Sequence, residues 1–376
     1  MTALVSSVQG EHALAGFLDR HRRAAALADR RFDREELDDL LRGLSATGVI
    51  RGWVAHDAGG AGFTHIESAA LYEELGRVWP ELAGVALIAQ SVASAVATSA
   101  HPAIRERYAA RLLAGELIGC VALSETGAGS NPREMVSAAH QVGACWHVSG
   151  EKTWVTNGMY ADLCIFVART GEGRFTRFLL ERSRHGFEAS PIDALGLRGW
   201  GSSDIRLMSA EVEPEHVLGE VGRGLEMSYE ALARSRTYLA AIAVGIGQSA
   251  LDAAVAHARS RVQFGKLLGA HQLIQDMVAE MATLVEASRQ LVHRSLRLMD
   301  QRSASTAAAA MAKHYATESV LRVCSLGVQV HGAQGLTTGH AAERQFRNAR
   351  MLTMPDGTTQ MNRLIVAREL LGTGAF

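Results

Sequence analysis

Three short stretches hold side chains able to do chemistry. Close to the chain's end, Met354 to Gln360 reads MPDGTTQ, a proline and an aspartate set directly before a glycine and two threonines. A solvated turn aspartate is one reading of that carboxylate. Ser124 to Pro132, SETGAGSNP, follows the apolar IGCVAL, and its glycines would let backbone N–H groups close on a phosphate or a flat ring. A glycine–serine turn without a ligand is the commoner outcome for such a loop. Gly150 to Gly158, GEKTWVTNG, puts Trp154 and Thr156 on the same face of an expected strand, so that an indole would cover a heterocycle while a hydroxyl meets its edge. Taken alone, Trp154 also reads as a core aromatic. Two such loops in one chain strengthen each other.

The elements that must position these residues fall into three parts. Residues 1–117 are rich in Ala, Leu, Arg and Glu, and REELDDLLRGLSATGV sets Leu37, Leu40, Leu41 and Leu44 at helical spacing. Residues 118–219 change texture to short β-rich pieces, CWHVSGEKTWVTNG, LCIFVART, FTRFLLER and DIRLMSAEVEPEHVLG, divided by Gly, Ser, Asn or Pro. Residues 220–376 are helical again, with Ile274, Met277, Met281, Leu284 and Leu291 on one stripe, as in a long bundle helix. The fold class expected is α+β, a helical domain, a central sheet or barrel and a C-terminal helical bundle.

Composition bounds the partners. The chain has 376 residues, 48% hydrophobic and 20% charged, with a formal net charge of −1, so no global positive field draws nucleic acid or an acidic membrane. Cys120, Cys145, Cys164 and Cys324 are far apart with no CxxC pair, which fits reduced thiols in the cytoplasm rather than a disulfide or zinc framework; no metal is expected. The N-terminal stretch lacks a charged region followed by a long apolar run, so no signal peptide is expected. The most hydrophobic window, Ala83 to Ala100, is interrupted by Gln90, Ser91, Ser94, Thr98 and Ser99 and reads as a buried Ala-rich helix, not a membrane span.

ALSETGAGS, GEKTWVTNGMYADLCIFVART, HARSRVQFGKLLGAHQLIQD, VQVHGAQG and RNARMLTMPDGTTQMNRLIVAREL occur in this order over nearly the whole chain, which thereby resembles the acyl-CoA dehydrogenase family. The resemblance implies a helical domain, a central β domain and a C-terminal four-helix domain, assembled as a homotetramer with FAD near a subunit interface. Residue by residue, it implies that Leu123, Ser124 and Ser130 touch the flavin or the adjoining substrate phosphates, and that Trp154 and Thr156 cover the ring and hydrogen-bond near its N5. It implies that Arg261, Gln263 and Phe264 hold the FAD of a neighbouring subunit, Arg261 by pairing with pyrophosphate. Gln329, Gly332 and Ala333 match further contacts there, Ala333 standing where glycine is usual.

On the same resemblance Asp356 falls at the catalytic base, usually glutamate, and Thr358 and Gln360 fall on cofactor contacts. The base would take the α-proton of an acyl thioester while hydride leaves the β-carbon for the flavin on the opposite side. Gly357, lacking Cβ, would let substrate approach the backbone, and Arg236 matches a substrate-side arginine. Aspartate loses roughly 1–1.5 Å of reach against glutamate, and displacement on the order of 1 Å can cost ~10²-fold in rate. Pro355, where an aromatic is usual, could rebuild the loop to push Asp356 forward. Some branches place the base on the helix after the sheet domain, which in this chain is Ser235 and cannot serve. Thr126 and Asn131 replace the usual proline and aspartate.

The activity implied is FAD-dependent dehydrogenation of an acyl-CoA or acyl carrier protein thioester, with an electron-transfer flavoprotein as acceptor. Two alternatives stay open. Nitroalkane oxidases share the fold and use aspartate as base, and a flavin-binding member without dehydrogenase activity would keep the cofactor residues.

Overall fold

The structure, a computed structural model, describes residues 7–26 and 29–374. The first part holds helices α1 (Ser7–Ala26), α2 (Arg34–Thr47), α3 (His65–Val78) and α4 (Pro80–Ala97), followed by the short turns α5 (Pro102–Ile104) and α6 (Ala110–Leu113). Helix α2 opens with a capping box between Asp33 and Glu36, ends at Gly48 with φ +92°, and buries Leu37, Leu40, Leu41 and Leu44 as their spacing predicts. The Ala-rich window becomes α4. This helix and the later α8 (Gly224–Ser260) are, among the described residues, the two long and apolar enough to cross a membrane, but 78% of the α4 window is packed inside the protein.

The middle part is one curled sheet of seven strands, β1 (Gly119–Ala122), β2 (Ala138–Val142), β3 (Cys145–Val155), β4 (Leu163–Gly171), β5 (Arg174–Glu181), β6 (Glu188–Pro191) and β7 (Ser203–Val212), with the one-turn helix α7 (Arg182–His185) after β5. The pairing order is β1-β4-β2-β3-β7-β6, with β5 antiparallel to β4. Cys120 and Cys164 face each other across the parallel β1–β4 pair as free, buried thiols. The helical part docks where small residues permit: a Cβ on Gly84 of α4 would lie 2.1 Å from the Trp200 indole.

The C-terminal part holds α8 (Gly224–Ser260), a hairpin β8 (Val262–Gln263) and β9 (Lys266–Leu267), then α9 (Gln272–Asp300), α10 (Thr306–His331), α11 (Ala341–Leu352) and α12 (Thr359–Leu371). The 37 residues of α8 run for about 55 Å. Its middle, Tyr238 to Gly247, is buried, and it meets α3 backbone to backbone. A Cβ on Gly245 would sit 2.1 Å from the Glu73 carbonyl, and one on Gly76 2.6 Å from that of Ile242. That contact locks α8 against the first part. On α9, Met281 is buried and Met277, Leu284 and Leu291 pack on the core, as the stripe predicts.

Candidate active site

Asp356 lies in the turn between α11 and α12, with φ +56°, followed by Gly357 at +93°. Two successive left-handed residues, one of them not glycine, are held only where surroundings over-determine them. The surroundings here are explicit. Arg236 Nε donates to the Asp356 backbone carbonyl at 2.8 Å. Lys313 Nζ, from the middle of α10, donates to the carbonyls of Thr353 at 2.9 Å and Gly357 at 2.8 Å, and Asn362 Nδ2 adds a 2.7 Å bond to Gly357. Glycine suits this position because its φ of +93° strains any other residue, and a Cβ would also press to 3.3 Å of Asn362 Nδ2.

The carboxylate itself is half-buried, and Oδ2 accepts a 2.6 Å hydrogen bond from the Ser235 hydroxyl. Ser235, on α8, thus faces Asp356 and fixes that oxygen. Burial pulls the Lys313 ammonium down to about 8, partly offset by the nearby Asp356 charge. Burial also lowers the Arg236 guanidinium, again against the pull of Asp356. Arg236, expected beside substrate, therefore has its Nε engaged with the loop that carries Asp356. Its neighbour Arg234 stacks over Trp53 at 5.4 Å.

The second group is the pair of loops on the sheet. Thr153 N donates to the Ser124 carbonyl at 2.9 Å, which ties the Leu123–Ser130 loop to the end of β3. Beneath it lies a buried ion pair. Lys152 Nζ is 2.8 Å from Glu125 Oε1 and donates to the Leu123 carbonyl at 3.0 Å, while Glu125 accepts from the backbone N–H groups of Val136 at 2.6 Å and Ser137 at 3.0 Å. Burial would raise the Glu125 carboxyl, but Lys152 and these donors hold it below its ordinary value. Neither charge was singled out from sequence, although both lie inside the two quoted loops; a charge amid small and apolar residues was the signal.

Strict alternation put Trp154 and Thr156 on one face of a strand, and the structure corrects this. β3 ends at Val155, its register with β7 shifts between Lys152 and Val155, and Trp154 takes φ +57°, so Thr156 lies in the turn beyond the strand. The bulge leaves Trp154 54% exposed, which sets aside the reading of a core aromatic. The turn is anchored by Asn157, φ +65°, whose Nδ2 donates to the carbonyls of Val85 on α4 and Gly119 on β1 at 3.0 and 3.1 Å. Ser130 is exposed, and Leu123, Ser124 and Thr156 are half-buried.

The third group sits elsewhere. Arg261 caps the end of α8, Gln263 is on β8 and Phe264, 95% exposed with φ +50°, is in the hairpin turn. Gln329, Gly332 and Ala333 lie at the end of α10, brought to the same end of the bundle by the His257–His331 ring contact at 4.6 Å. Ser235 and Arg261 stand 26 residues apart on one helix, about 39 Å. Thr358 caps α12 by accepting from Met361 N at 3.3 Å, and Gln360 is exposed on its first turn.

Family models match the chain in three pieces: the acyl-CoA dehydrogenase N-terminal domain over residues 12–116, the middle domain over 120–210 and the C-terminal domain over 222–371. Cyclohex-1-ene-1-carbonyl-CoA dehydrogenase of Geobacter metallireducens is 34% identical over 358 residues, 93% of each chain. Subunit CarC of the caffeyl-CoA reductase-Etf complex of Acetobacterium woodii is 32% identical over 350 residues, 90% of each chain. The solved butyryl-CoA dehydrogenase of Megasphaera elsdenii superposes with a TM-score of 0.92 at 26% identity, covering 99% of both chains. The chain belongs to the acyl-CoA dehydrogenase family. It is an FAD-dependent oxidoreductase of the class that acts on a CH–CH bond of acyl-CoA.

The residues present fit that cofactor. Open space faces Gly127 and Gly129, where an added Cβ would meet nothing within 4 Å, and the exposed Trp154 indole is held in a strained backbone beside the polar Ser124 and Thr156.

Proposed function

We propose that the chain removes the α- and β-hydrogens of an acyl thioester, with Asp356 as the base that takes the α-proton. The observation that carries this reading is the Ser235–Asp356 hydrogen bond, together with Lys313 and Arg236 gripping the loop around it. A base must be held within a few tenths of an ångström of its productive position, and a fixed short aspartate meets this demand better than a mobile one. Ser235 restrains the carboxylate, and Gly357, at φ +93°, lets the turn that presents it close against Asn362 and Arg236. FAD, when bound, accepts the hydride from the β-carbon. Leu123, Ser124, Ser130, Trp154 and Thr156 would hold its ring end and the adjoining substrate phosphates, with Thr358 and Gln360 near by. An electron-transfer flavoprotein is the acceptor we infer, in line with the Etf complex named for a relative.

We further infer a homo-oligomer, in which Arg261, Gln263, Phe264, Gln329, Gly332 and Ala333 serve the cofactor of a second copy. The support is the roughly 39 Å between this cluster and Ser235, and the bare apolar surface around it, where Phe264, Leu273 and Leu336 are exposed.

The test is anaerobic absorbance of the flavin, titrated with acyl-CoAs, acyl carrier protein thioesters and a nitroalkane, for wild type and Asp356→Asn. Bleaching by a thioester in wild type alone supports the proposal and names the carrier. Bleaching by the nitroalkane alone moves the protein to carbon-acid oxidation, and an unchanged flavin throughout overturns Asp356 as a working base.

A further inference from the structure

At the end of the bundle that carries Arg261 and Gln329, three imidazoles touch in a row: the ring centroids of His257 and His331 lie 4.6 Å apart, and those of His331 and His340 5.0 Å. They come from three elements, His257 from the last turn of α8, His331 from the end of α10 and His340 from the position that caps α11. All three are half-buried, and the space beside them is open, since a Cβ on Gly332 or Gly339 would meet nothing within 4 Å. Their hydrogen bonds fix which nitrogens stay free. His331 Nδ1 donates to the Gly327 carbonyl at 2.7 Å, which leaves Nε2 of the neutral ring a bare lone pair. His340 Nδ1 accepts from Ala342 N at 3.2 Å, so its neutral ring carries the proton on Nε2. Among the described residues no hydrogen bond reaches either Nε2, either ring nitrogen of His257, or the exposed Arg261 guanidinium one helical turn further on.

We propose that His257, His331 and His340 complete, with Arg261, the seat for the diphosphate of a second copy's FAD, and that His331 takes up a proton as this anion arrives. The inference rests on the reading above that this end of the bundle serves another chain's cofactor. An oxyanion among these rings meets a donor at His340 Nε2 but a lone pair at His331 Nε2, and one proton turns that repulsion into a charge-assisted hydrogen bond. The surrounding groups set the sign. Burial lowers the His257 imidazole, and His331, Arg261 and His340 lower it further, so alone these groups oppose one another's charging. The other charges near by are engaged elsewhere: on α11 Glu343 pairs with Arg347 at 2.7 Å and Arg344 donates to the Ala26 carbonyl, while on the hairpin Lys266 donates to the Ala270 carbonyl at 3.0 Å. His271, at the start of α9, has its Nε2 3.2 Å from the Gln263 carbonyl. Two phosphate charges supply what the cluster lacks. Protonation and binding therefore reinforce each other, and FAD affinity falls as pH rises, by up to ~10-fold per unit for one linked proton.

The experiment titrates FAD calorimetrically into the deflavinated full-length chain, from pH 6.5 to 8.5 and in two buffers of different ionisation heat, for wild type, His257→Gln, His331→Gln and Arg261→Ala. Expected are uptake approaching one proton per FAD in wild type and an affinity that falls with pH; both should vanish in His331→Gln and shrink in His257→Gln, while Arg261→Ala binds FAD weakly at every pH. Wild-type binding without proton uptake, or uptake unchanged in both histidine variants, overturns the proposal, and a defect in Arg261→Ala then shows that the reading beneath it stands. FAD affinity unchanged in Arg261→Ala overturns both. Should His331→Gln not fold, His257→Gln and the wild-type proton uptake decide it.

Discussion

The Ser235 hydroxyl donates a 2.6 Å hydrogen bond to Oδ2 of Asp356, joining residues 121 positions apart in sequence. Such a bond to a carboxylate is charge-assisted and directional, and its first effect is to choose a rotamer. Replacing Ser235 by alanine frees that rotamer. We expect kcat to fall about 10-fold with KM little moved, and Ser235→Thr to recover most of it, since loss of orientation acts on the chemical step. Steady-state kinetics with one thioester, with Asp356→Asn as the floor, checks this; an equal rise in KM would instead point to a binding role.

Lys313 gives a pH signature. Its ammonium is fully buried and held down to about 8 in the fold, against an ordinary value of 10.5. Between these values the unfolded chain binds a proton that the native chain does not, so stability rises with pH there, by at most roughly 3 kcal/mol. Below about pH 8 both states are protonated and the burial cost is constant. Urea melts of wild type and Lys313→Met from pH 7 to 10.5 should therefore diverge in favour of wild type as pH rises. Parallel curves would show that the lysine does not titrate as described.

The Lys152–Glu125 pair predicts an asymmetry. Lys152→Met strands a buried carboxylate and should cost about 3–5 kcal/mol, with FAD lost on gel filtration because the Leu123 carbonyl also loses its donor. The double variant Lys152→Met/Glu125→Leu should regain much of the stability without regaining the flavin. Chemical denaturation and the ratio of flavin to protein absorbance separate the two effects; equal losses in single and double variants would refute a paired role.

Complementation tests the shared site. Asp356→Asn and Arg261→Ala chains are each expected to be inactive alone. If each centre takes Asp356 from one copy and Arg261 from another, unfolding and refolding an equal mixture should restore roughly a quarter of wild-type activity. No recovery, with mixed oligomers shown by mass spectrometry, would place both residues on one chain's centre.

The helix–sheet–helix plan was legible because texture changes sharply near residues 118 and 220, and the α2 and α9 stripes repeat at 3.6 residues. Asp356 was singled out from MPDGTTQ and the family resemblance, and the structure sets it in a firmly gripped turn; its part as base is the proposal above. Ser235 was set aside because a hydroxyl cannot be the base, and only the packing of α8 against the α11–α12 turn shows what it does instead. Lys313 sits in MAKHYATES, where a lysine reads as a solvated helix face; its two carbonyl partners arrive from 40 and 44 residues away. Alternation failed at Trp154 because a bulge, which spacing does not reveal, intervenes.

The buried Lys152–Glu125 pair also bears on how this chain can drift. Losing either charge alone leaves the other stranded in the core, while changing both together removes the penalty. Each member therefore protects its partner from single-step replacement, and the loop above them inherits that protection even where its own residues, such as Thr126 and Asn131, have wandered from the usual pattern. The pair works as a heritable lock: a lineage leaves this arrangement without loss of stability only by two coordinated changes, and on the prediction above it gives up the bound flavin in doing so.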